Sequence, residues 1–259
     1  AGRIAALSGP AAVMLYTVSA RSKDPAFPIL RFLEDFYPHI PLFAIDSVFG
    51  FVERSTLYGG REFSGPELSD RDVEAMYDAG IGLRLPLTNH WIEREEYLAN
   101  RPLLTRYHRE GNAVIANNDD LAQWIREDYP KYRLEASVIR NFNTPEKIAK
   151  AMGLYDTVVL PMQLNNEPEF LRPLADKDRI TLFANAGCAL TCPSKTCYAS
   201  ISKSNKFNGP PDLLCSQPLK ERERMGMVEF DLDALAALGF SRFKVLRSRN
   251  PGHGLATGY

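Results

Sequence analysis

The chain combines the length of an ordinary globular protein with a near-neutral charge. It has 259 residues, of which 45% are hydrophobic, and its 31 Lys and Arg residues face 32 Asp and Glu residues, a formal net charge of −1. A chain of this length buries about 75% of the surface that it exposes when unfolded, so it needs no disulfide or metal merely to hold a core. The balanced charge gives no overall attraction for a polyanion, which disfavours a general nucleic-acid binder. An RNA partner would need a local basic patch.

No apolar run reaches the roughly 18 to 20 residues that a membrane span requires. The first residues, Ala1-Gly2-Arg3, lead into a mixed segment and lack the charged and then apolar pattern of a cleavable signal. We therefore expect a cytoplasmic protein with no membrane span.

Short runs rich in Val, Ile and Leu alternate with amphipathic stretches along the whole chain. This alternation predicts strands separated by helices, and so a parallel sheet. The predicted strands are 12–18, 42–48, 82–88, 113–117, 134–139, 157–162, 180–185 and 242–246. The predicted helices are 26–36, 70–79, 94–109, 119–128, 145–152, 167–174 and 231–238. Several begin with capping signals, such as Ser69-Asp70 and Thr144-Pro145.

Eight parallel strands with helices between them, in about 250 residues, match the size of a (β/α)8 barrel, also called a TIM barrel. A doubly wound open sheet is less favoured because the chain has no G-x-G-x-x-G or Walker-type glycine motif. The absence of a linker or repeat predicts a single domain over 1–259. Two long connections, 49–80 and 187–241, are expected on the C-terminal face of the barrel, where barrel enzymes keep their active sites.

All four cysteines lie in the second of these connections. Three residues separate Cys188 from Cys192 and four separate Cys192 from Cys197, and Cys215 follows after seventeen more. Four thiolates this close in sequence are able to surround a [4Fe–4S] cluster or a tetrahedral metal ion. The predicted metal site therefore consists of these four residues.

Other interpretations of the cysteines stay open. Zinc sites usually show two tight C-x2–4-C pairs, and only Cys188 and Cys192 form one here. Two disulfides or unconnected thiols are further alternatives. A radical S-adenosylmethionine site is a minor alternative because its usual C-x3-C-x2-C spacing is absent. We expect a [4Fe–4S] cluster, with structural zinc as the alternative.

Polar residues follow most of the predicted strands. On a barrel they would meet at one rim, and a rim with amides, an imidazole and guanidiniums suits a small substrate that carries carboxylates. His90 is expected to move protons, because it is the one histidine at such a strand end. The predicted catalytic residues are His90, Arg140, Asn185 and Arg247. The predicted substrate-binding residues are Asn89, Asn117, Asn141, Gln163 and Arg249.

The cysteine segment also resembles a known family. The run Asn185-Ala186-Gly187-Cys188, then Cys192, Cys197-Tyr198 and Cys215, and the closing strand Phe243-Lys244-Val245 are similar to the collagenase-like peptidase family U32. Members of that family are understood as iron–sulfur barrel proteins. They include oxygen-independent hydroxylases of ubiquinone biosynthesis and of RNA bases, which use prephenate as oxygen donor.

The resemblance implies that the four cysteines hold an iron–sulfur cluster. It also implies a hydroxylase-like enzyme that acts on a small aromatic or nucleobase substrate. The alternative is a non-catalytic partner or scaffold protein whose cluster or zinc only fastens the long connection. A metal-free hydrolase is not supported by a nucleophile motif such as G-x-S-x-G.

Overall fold

The computed structural model describes residues 13–192, 194–207, 214–216 and 227–247. Its strands are β1 Leu15–Ser19, β2 Ile45–Phe49, β3 Gly82–Leu87, β4 Ala113–Ala116, β5 Arg133–Ala136, β6 Thr157–Val159, β7 Ile180–Phe183, β8 Asn185–Ala186, β9 Val228–Glu229 and β10 Arg242–Val245. Its α-helices are α1 Ile29–Phe36, α2 Asp70–Asp78, α3 Arg94–Ala99, α4 Arg101–Arg106, α5 Asp119–Asp128, α6 Pro145–Met152, α7 Pro168–Leu171, α8 Cys197–Phe207 and α9 Leu232–Ala237.

Eight of the strands close into a parallel barrel. The order around it is β1-β2-β3-β4-β5-β6-β7-β10, and β10 pairs with β1 to complete the circle. The two remaining strands, β8 and β9, form a short antiparallel pair outside the barrel. The predicted (β/α)8 barrel is confirmed, and each of the eight predicted strands overlaps a barrel strand.

Capping residues begin several helices as predicted. Ser69 and Asp72 form a reciprocal capping box at α2, with the Ser69 backbone N–H donating to the Asp72 carboxylate at 2.8 Å. Thr144 caps α6 and is followed by proline. The predicted helix 94–109 was too long, because the chain divides at Asn100 into α3 and α4. Pro102 has no backbone N–H to continue the first helix, and it lies at the start of the second.

The outward faces of the strands are apolar and pack against the helices. Val48, Leu83, Val114 and Leu182 are completely buried there, in one core with side chains of α1 such as Phe32. Burial of this apolar layer between strands and helices is the main source of the barrel's stability, as in other α/β folds. No helix in the described segments has the length and the apolar character needed to cross a bilayer.

The inward faces of the strands are unusually polar. The interiors of TIM barrels are usually filled by Val, Ile and Leu. Here Arg84 of β3 and Lys244 of β10 both reach Glu135 of β5, and none of these strands is a neighbour of another. Their ion pairs therefore cross the inside of the barrel, and a charged layer lies beneath its mouth.

Candidate functional site

A cavity of about 130 Å3 opens at the C-terminal ends of the barrel strands. For seven of the eight barrel strands, a residue of the strand or the residue directly after it lines the cavity. After the remaining strand, β6, Met162 of the connection lines it. The residues that line it are Ser19, Arg21, Phe49, Gly59, Gly60, Arg61, Pro86, Thr88, Ile115, Ser137, Val138, Ile139, Met162, Phe183, Gly187, Ala189, Tyr198, Lys244, Leu246 and Arg247. This is the face on which barrel enzymes place their catalytic groups.

Apolar walls and cationic groups meet in this cavity. Phe49, Ile115 and Phe183 supply apolar surface, whereas Arg21 and Arg247 bring guanidiniums. Such a mixture is typical of sites for small molecules that have an apolar body and a charged group.

Arg247 is held in place at the cavity by two neighbours. Its Nη1 donates to the Arg21 carbonyl oxygen at 2.5 Å, and its guanidinium lies 4.2 Å from the centre of the Phe36 ring. Within the described part of the chain, Arg247 forms no ion pair with a carboxylate, although a guanidinium has five N–H donors. By contrast, Arg61 is already engaged in a two-pronged ion pair with Glu67. Arg247 is therefore the guanidinium best placed to receive a ligand carboxylate.

Lys244 lines the same cavity from the charged layer below it. Its Nζ lies 2.9 Å from Glu135 Oε1, and its side chain is 9% exposed. Burial lowers the pKa of Lys244 and the nearby Arg84 adds to that effect, with Glu135 opposing both. Burial also opposes ionisation of Glu135, but the charges of Arg84 and Lys244 outweigh it and hold the pKa of Glu135 below its usual value.

The connection from β2 to α2 forms one wall of the cavity because Gly59 and Gly60 pack against the end of β3. A Cβ atom on Gly59 would lie 2.2 Å from the Thr88 carbonyl oxygen, so no larger residue fits there without moving the backbone. Gly60 has φ +72°, which glycine adopts without strain. This tight approach brings the connection over the mouth of the barrel.

Two asparagines fasten the same connection to α8. Asn89 is completely buried, and its Nδ2 donates to the carbonyl oxygens of Thr56 at 3.0 Å and Ser202 at 2.9 Å. Asn205 of α8 donates to the Arg61 carbonyl oxygen at 2.8 Å. The two long connections, both expected at the C-terminal face, therefore meet there and build a wall of the cavity together.

His90 is drawn into this wall and not into the cavity. Its Nδ1 lies 2.9 Å from the Ser202 Oγ, and burial lowers the pKa of His90. Neither residue belongs to the lining of the cavity. The expected position of His90 beside the substrate is thus not the one that the structure gives it.

The other predicted polar residues also make contacts outside the cavity lining. Arg140 forms a two-pronged ion pair with Asp119, with N–O distances of 2.7 and 2.8 Å, and it also donates to the Asn117 carbonyl oxygen. Asn141 ends the same short segment in a left-handed conformation with φ +53°. The Arg140 contacts therefore join the connection after β5 to the segment after β4.

Asn185 and Gln163 fasten chain segments near the cysteines. Asn185 exchanges two hydrogen bonds with the backbone of Leu246, at 2.9 and 2.8 Å, and so joins β8 to the residue that follows β10. Gln163 Nε2 donates to the carbonyl oxygens of Ala189 and Leu190. Of the predicted catalytic and substrate-binding residues, the cavity lining includes Arg247 among those described, and Arg249 lies outside the described residues.

The four cysteines lie on three segments that touch one another. The Cys192 N–H donates to the Cys188 carbonyl oxygen at 3.1 Å, and the Cys192 Sγ contacts the Ser216 Oγ at 3.1 Å. Cys197 begins α8 and is buried, whereas Cys215 is exposed. Two lining residues, Gly187 and Ala189, flank Cys188, and Tyr198 follows Cys197, so the cysteine segment borders the cavity.

The Cys192 thiol has polar surroundings of its own. Its Sγ accepts a hydrogen bond from the Lys195 backbone N–H at 3.2 Å. Burial opposes ionisation, but hydrogen bonds from Ser216, Lys195 and Ser194, together with the Lys195 charge, hold the pKa of Cys192 below its usual value. These are contacts that favour a thiolate.

The four cysteines have the chemistry of a metal site, but the described segments do not assemble one. Their chemistry is right, because four thiolates are a complete set of soft ligands for zinc or an iron–sulfur cluster. Their geometry is not closed, because no three His, Cys, Asp or Glu side chains in the described segments come together in an arrangement that could hold a metal ion. The expected [4Fe–4S] cluster, or zinc, at these four cysteines therefore stays a prediction.

Sequence reasoning missed three cationic residues that line the cavity, Lys244, Arg21 and Arg61. A signal for Lys244 was present: it is a charged residue in the middle of the strand Phe243-Lys244-Val245, whose neighbours in a barrel should be buried. Charge within a buried strand indicates a partner or a function.

Among the comparisons with known proteins, a solved structure shows the fold. No protein-family model matches the sequence, and no curated protein matches it. The solved structure of the U32 peptidase Mk0906 is similar over 96% of this chain and 98% of its own, with a TM-score of 0.63 and 15% sequence identity. A xylose isomerase-like TIM barrel/4-hydroxyphenylpyruvate dioxygenase fusion protein has a TM-score of 0.47 and 16% identity; the match covers 95% of this chain and 40% of that protein. The first of these likenesses shows that the chain has the fold of a U32 peptidase structure.

Proposed function

We propose that this chain is an enzyme that binds a small molecule with an apolar body and a carboxylate at the mouth of its barrel. The observation that carries the proposal is the position of Arg247, which lines an apolar cavity with its guanidinium held against Phe36 and the Arg21 carbonyl oxygen. An ordered guanidinium loses little conformational freedom when it binds, and it pairs with a carboxylate through two parallel hydrogen bonds.

The composition of the cavity supports a substrate of this class. Phe49, Ile115 and Phe183 favour an apolar or aromatic body, and the volume of the cavity suits a small group. Lys244 and Arg247 add positive charge to the cavity. Lys244 lies within the last strand, β10, and Arg247 lies two residues after it. Their attraction for an anion is strongest where water is excluded.

The experiment measures the binding of phenylpyruvate and of 4-hydroxybenzoate by ligand-detected NMR or calorimetry. Loss of one charge-assisted contact costs about 1.5–3 kcal/mol, so Arg247→Gln is expected to weaken binding about ten- to hundredfold. Arg31→Gln, on the exposed face of α1, is the matched control and should bind as the parent does. Binding that is equal in Arg247→Gln and the parent would refute this site.

A peptidase activity, which the name of the U32 structure suggests for that protein, is not favoured here. The His90 and Ser202 pair has the spacing of a base and a nucleophile, at 2.9 Å. Ser202 is completely buried in α8 and lies outside the cavity lining. A peptide bond could not reach it without opening the wall.

A second candidate is the oxygen-independent hydroxylase with an iron–sulfur cluster that the cysteine pattern suggests, acting on a small aromatic or nucleobase substrate. The specific observation in its favour is that the cysteine segments touch one another and border the cavity, with a backbone N–H donating to the Cys192 Sγ. Hydrogen bonds to sulfur are among the features that tune such clusters.

Metal and sulfide analysis of protein purified without oxygen tests this candidate. Iron and acid-labile sulfide near four per chain, with a visible charge-transfer spectrum, would support it. Zinc alone would instead favour a structural site that fastens the connection. Retention of full metal content by Cys188→Ser and Cys197→Ser would refute a shared site.

A further inference from the structure

Lys244 is a buried amine on the surface of an apolar cavity. Its Nζ is 2.9 Å from Glu135 Oε1 and 4.7 Å from the centre of the Phe49 ring. An ammonium group has three N–H donors, and the described structure assigns one of them, to Glu135. The remaining positions on nitrogen are therefore available on a group that lines the cavity.

The charge of Lys244 is only partly compensated by its surroundings. Glu135 is shared with Arg84, whose Nη2 in turn lies 2.9 Å from Asp46 Oδ2. Asp46 is also shared with Arg133, at 2.9 Å. Three cations, Arg84, Arg133 and Lys244, thus share two carboxylates, and Lys244 contacts one of these, Glu135. Burial beside Arg84 accordingly lowers the pKa of Lys244, which raises the fraction of neutral amine.

A second buried lysine shows what a purely structural role looks like. Lys23 donates to Asp72 Oδ2 at 2.7 Å, to the Asp24 carbonyl oxygen at 2.9 Å and to the Glu67 carbonyl oxygen at 3.5 Å. All three of its N–H groups therefore have acceptors. Among the described lysines, these two are the buried ones, and Lys244 is the one that faces the apolar cavity.

We propose that Lys244 forms an imine with the carbonyl carbon of a 2-oxo acid that is bound in the cavity. The inference rests on the proposed function, because Arg247 is the group that would hold the carboxylate of the same ligand. The neutral amine attacks the carbonyl carbon, a C–N bond forms, and the carbonyl oxygen leaves as water with two hydrogens. Overall, one ammonium and one ketone give one protonated imine and one water, with no oxidant or reductant.

The surroundings of Lys244 suit the product as well as the amine. A protonated imine keeps both the positive charge and one N–H, so Glu135 retains a partner after the reaction. Ile115, Phe183 and Met162 supply apolar surface beside the imine for the body of the 2-oxo acid. The cavity opens at the barrel mouth, through which the released water leaves.

The experiment traps the imine with sodium cyanoborohydride in the presence of pyruvate, and peptide mass spectrometry locates the adduct. We expect one carboxyethyl group per chain, on Lys244. Lys244→Arg keeps a cation beside Glu135 but has no nucleophilic amine, and it should lose that adduct. Lys147→Arg, on the exposed face of α6, is the matched control and should keep it.

Several outcomes would overturn the inference. An adduct spread over exposed lysines, or one that persists in Lys244→Arg at the level of the parent, would do so. If Lys244→Arg does not fold, the position of the adduct in the parent chain decides the question by itself. Absence of an adduct on Lys244 in the folded parent overturns the imine.

A binding measurement without the reductant separates this inference from the proposed function. Pyruvate and phenylpyruvate that bind in an Arg247-dependent manner, with no trapped adduct, would overturn the imine and leave the carboxylate site standing. Absence of both binding and adduct would overturn the two together. Binding together with an adduct on Lys244 supports both.

Discussion

Glu135 is the acid on which the charge balance inside the barrel depends. Its side chain is 1% exposed and contacts Arg84 and, at 2.9 Å, Lys244. The change Glu135→Gln keeps the size of the side chain but removes its charge, and it leaves two buried cations with Asp46 as the remaining carboxylate of the layer. Removing one partner from a buried ion pair typically costs about 3–5 kcal/mol. Because Arg84 keeps its contact with Asp46, we expect a loss near the lower end, about 3 kcal/mol.

Urea unfolding followed by circular dichroism measures this loss, since the free energy of unfolding falls linearly with denaturant. Glu127→Gln on the exposed face of α5 is the control and should change stability by no more than about 0.5 kcal/mol. In a Lys244→Met background, the same Glu135→Gln change should cost less, because one of the stranded cations is gone. A Glu135→Gln variant as stable as the control would refute the reasoning that the carboxylate is ionised and compensates both cations.

Three further predictions concern the barrel and its mouth. Burial opposes ionisation of Asp46, but the guanidiniums of Arg84 and Arg133 hold its pKa in the folded chain below the ordinary 3.8. The ionised Asp46 therefore stabilises the folded chain above pH 3.8, and this stabilisation is lost as the pH falls through the lowered pKa of the folded chain. The stability difference between the parent and Asp46→Asn, measured by urea unfolding, should therefore shrink below pH 3.8. Gly59→Ala should destabilise the chain by at least about 1 kcal/mol, because the Cβ of the new alanine would meet the Thr88 carbonyl oxygen. An unchanged melting temperature would contradict this. Asn89→Ala should cost about 1–3 kcal/mol and speed hydrogen exchange in α8, which Asn117→Ala should not.

The fold was predictable because its signal repeats. Each barrel strand is a short run of apolar residues that alternates with an amphipathic helix, and the eight repetitions specify a closed barrel within this length. Helix ends were predictable where a capping side chain marks them, as at Ser69 and Thr144. The division at Asn100 follows from Pro102, which the periodicity of apolar residues alone does not reveal.

The site was less predictable because the end of a strand does not specify which way a side chain faces. His90 and Asn89 follow β3, where the sequence placed them, but α8 packs on them and takes their hydrogen bonds at Ser202. That helix fell within a stretch expected to be a connection, so its contacts could not be anticipated. Arg247 comes two residues after the last strand and lines the cavity, and its role there stays a prediction.

In this barrel the apolar residues that stabilise the fold and the charged residues beneath the mouth lie on opposite faces of the strands. The apolar layer that holds the fold together lies between the strands and the helices, where Val48, Leu83 and Leu182 are completely buried. The inward positions contribute less apolar burial. They carry Arg84, Glu135 and Lys244, whose ion pairs contribute little net stability when all partners are present. The charged layer meets the cavity through the Lys244 amine, and this placement supports the chemistry that we propose at the barrel mouth.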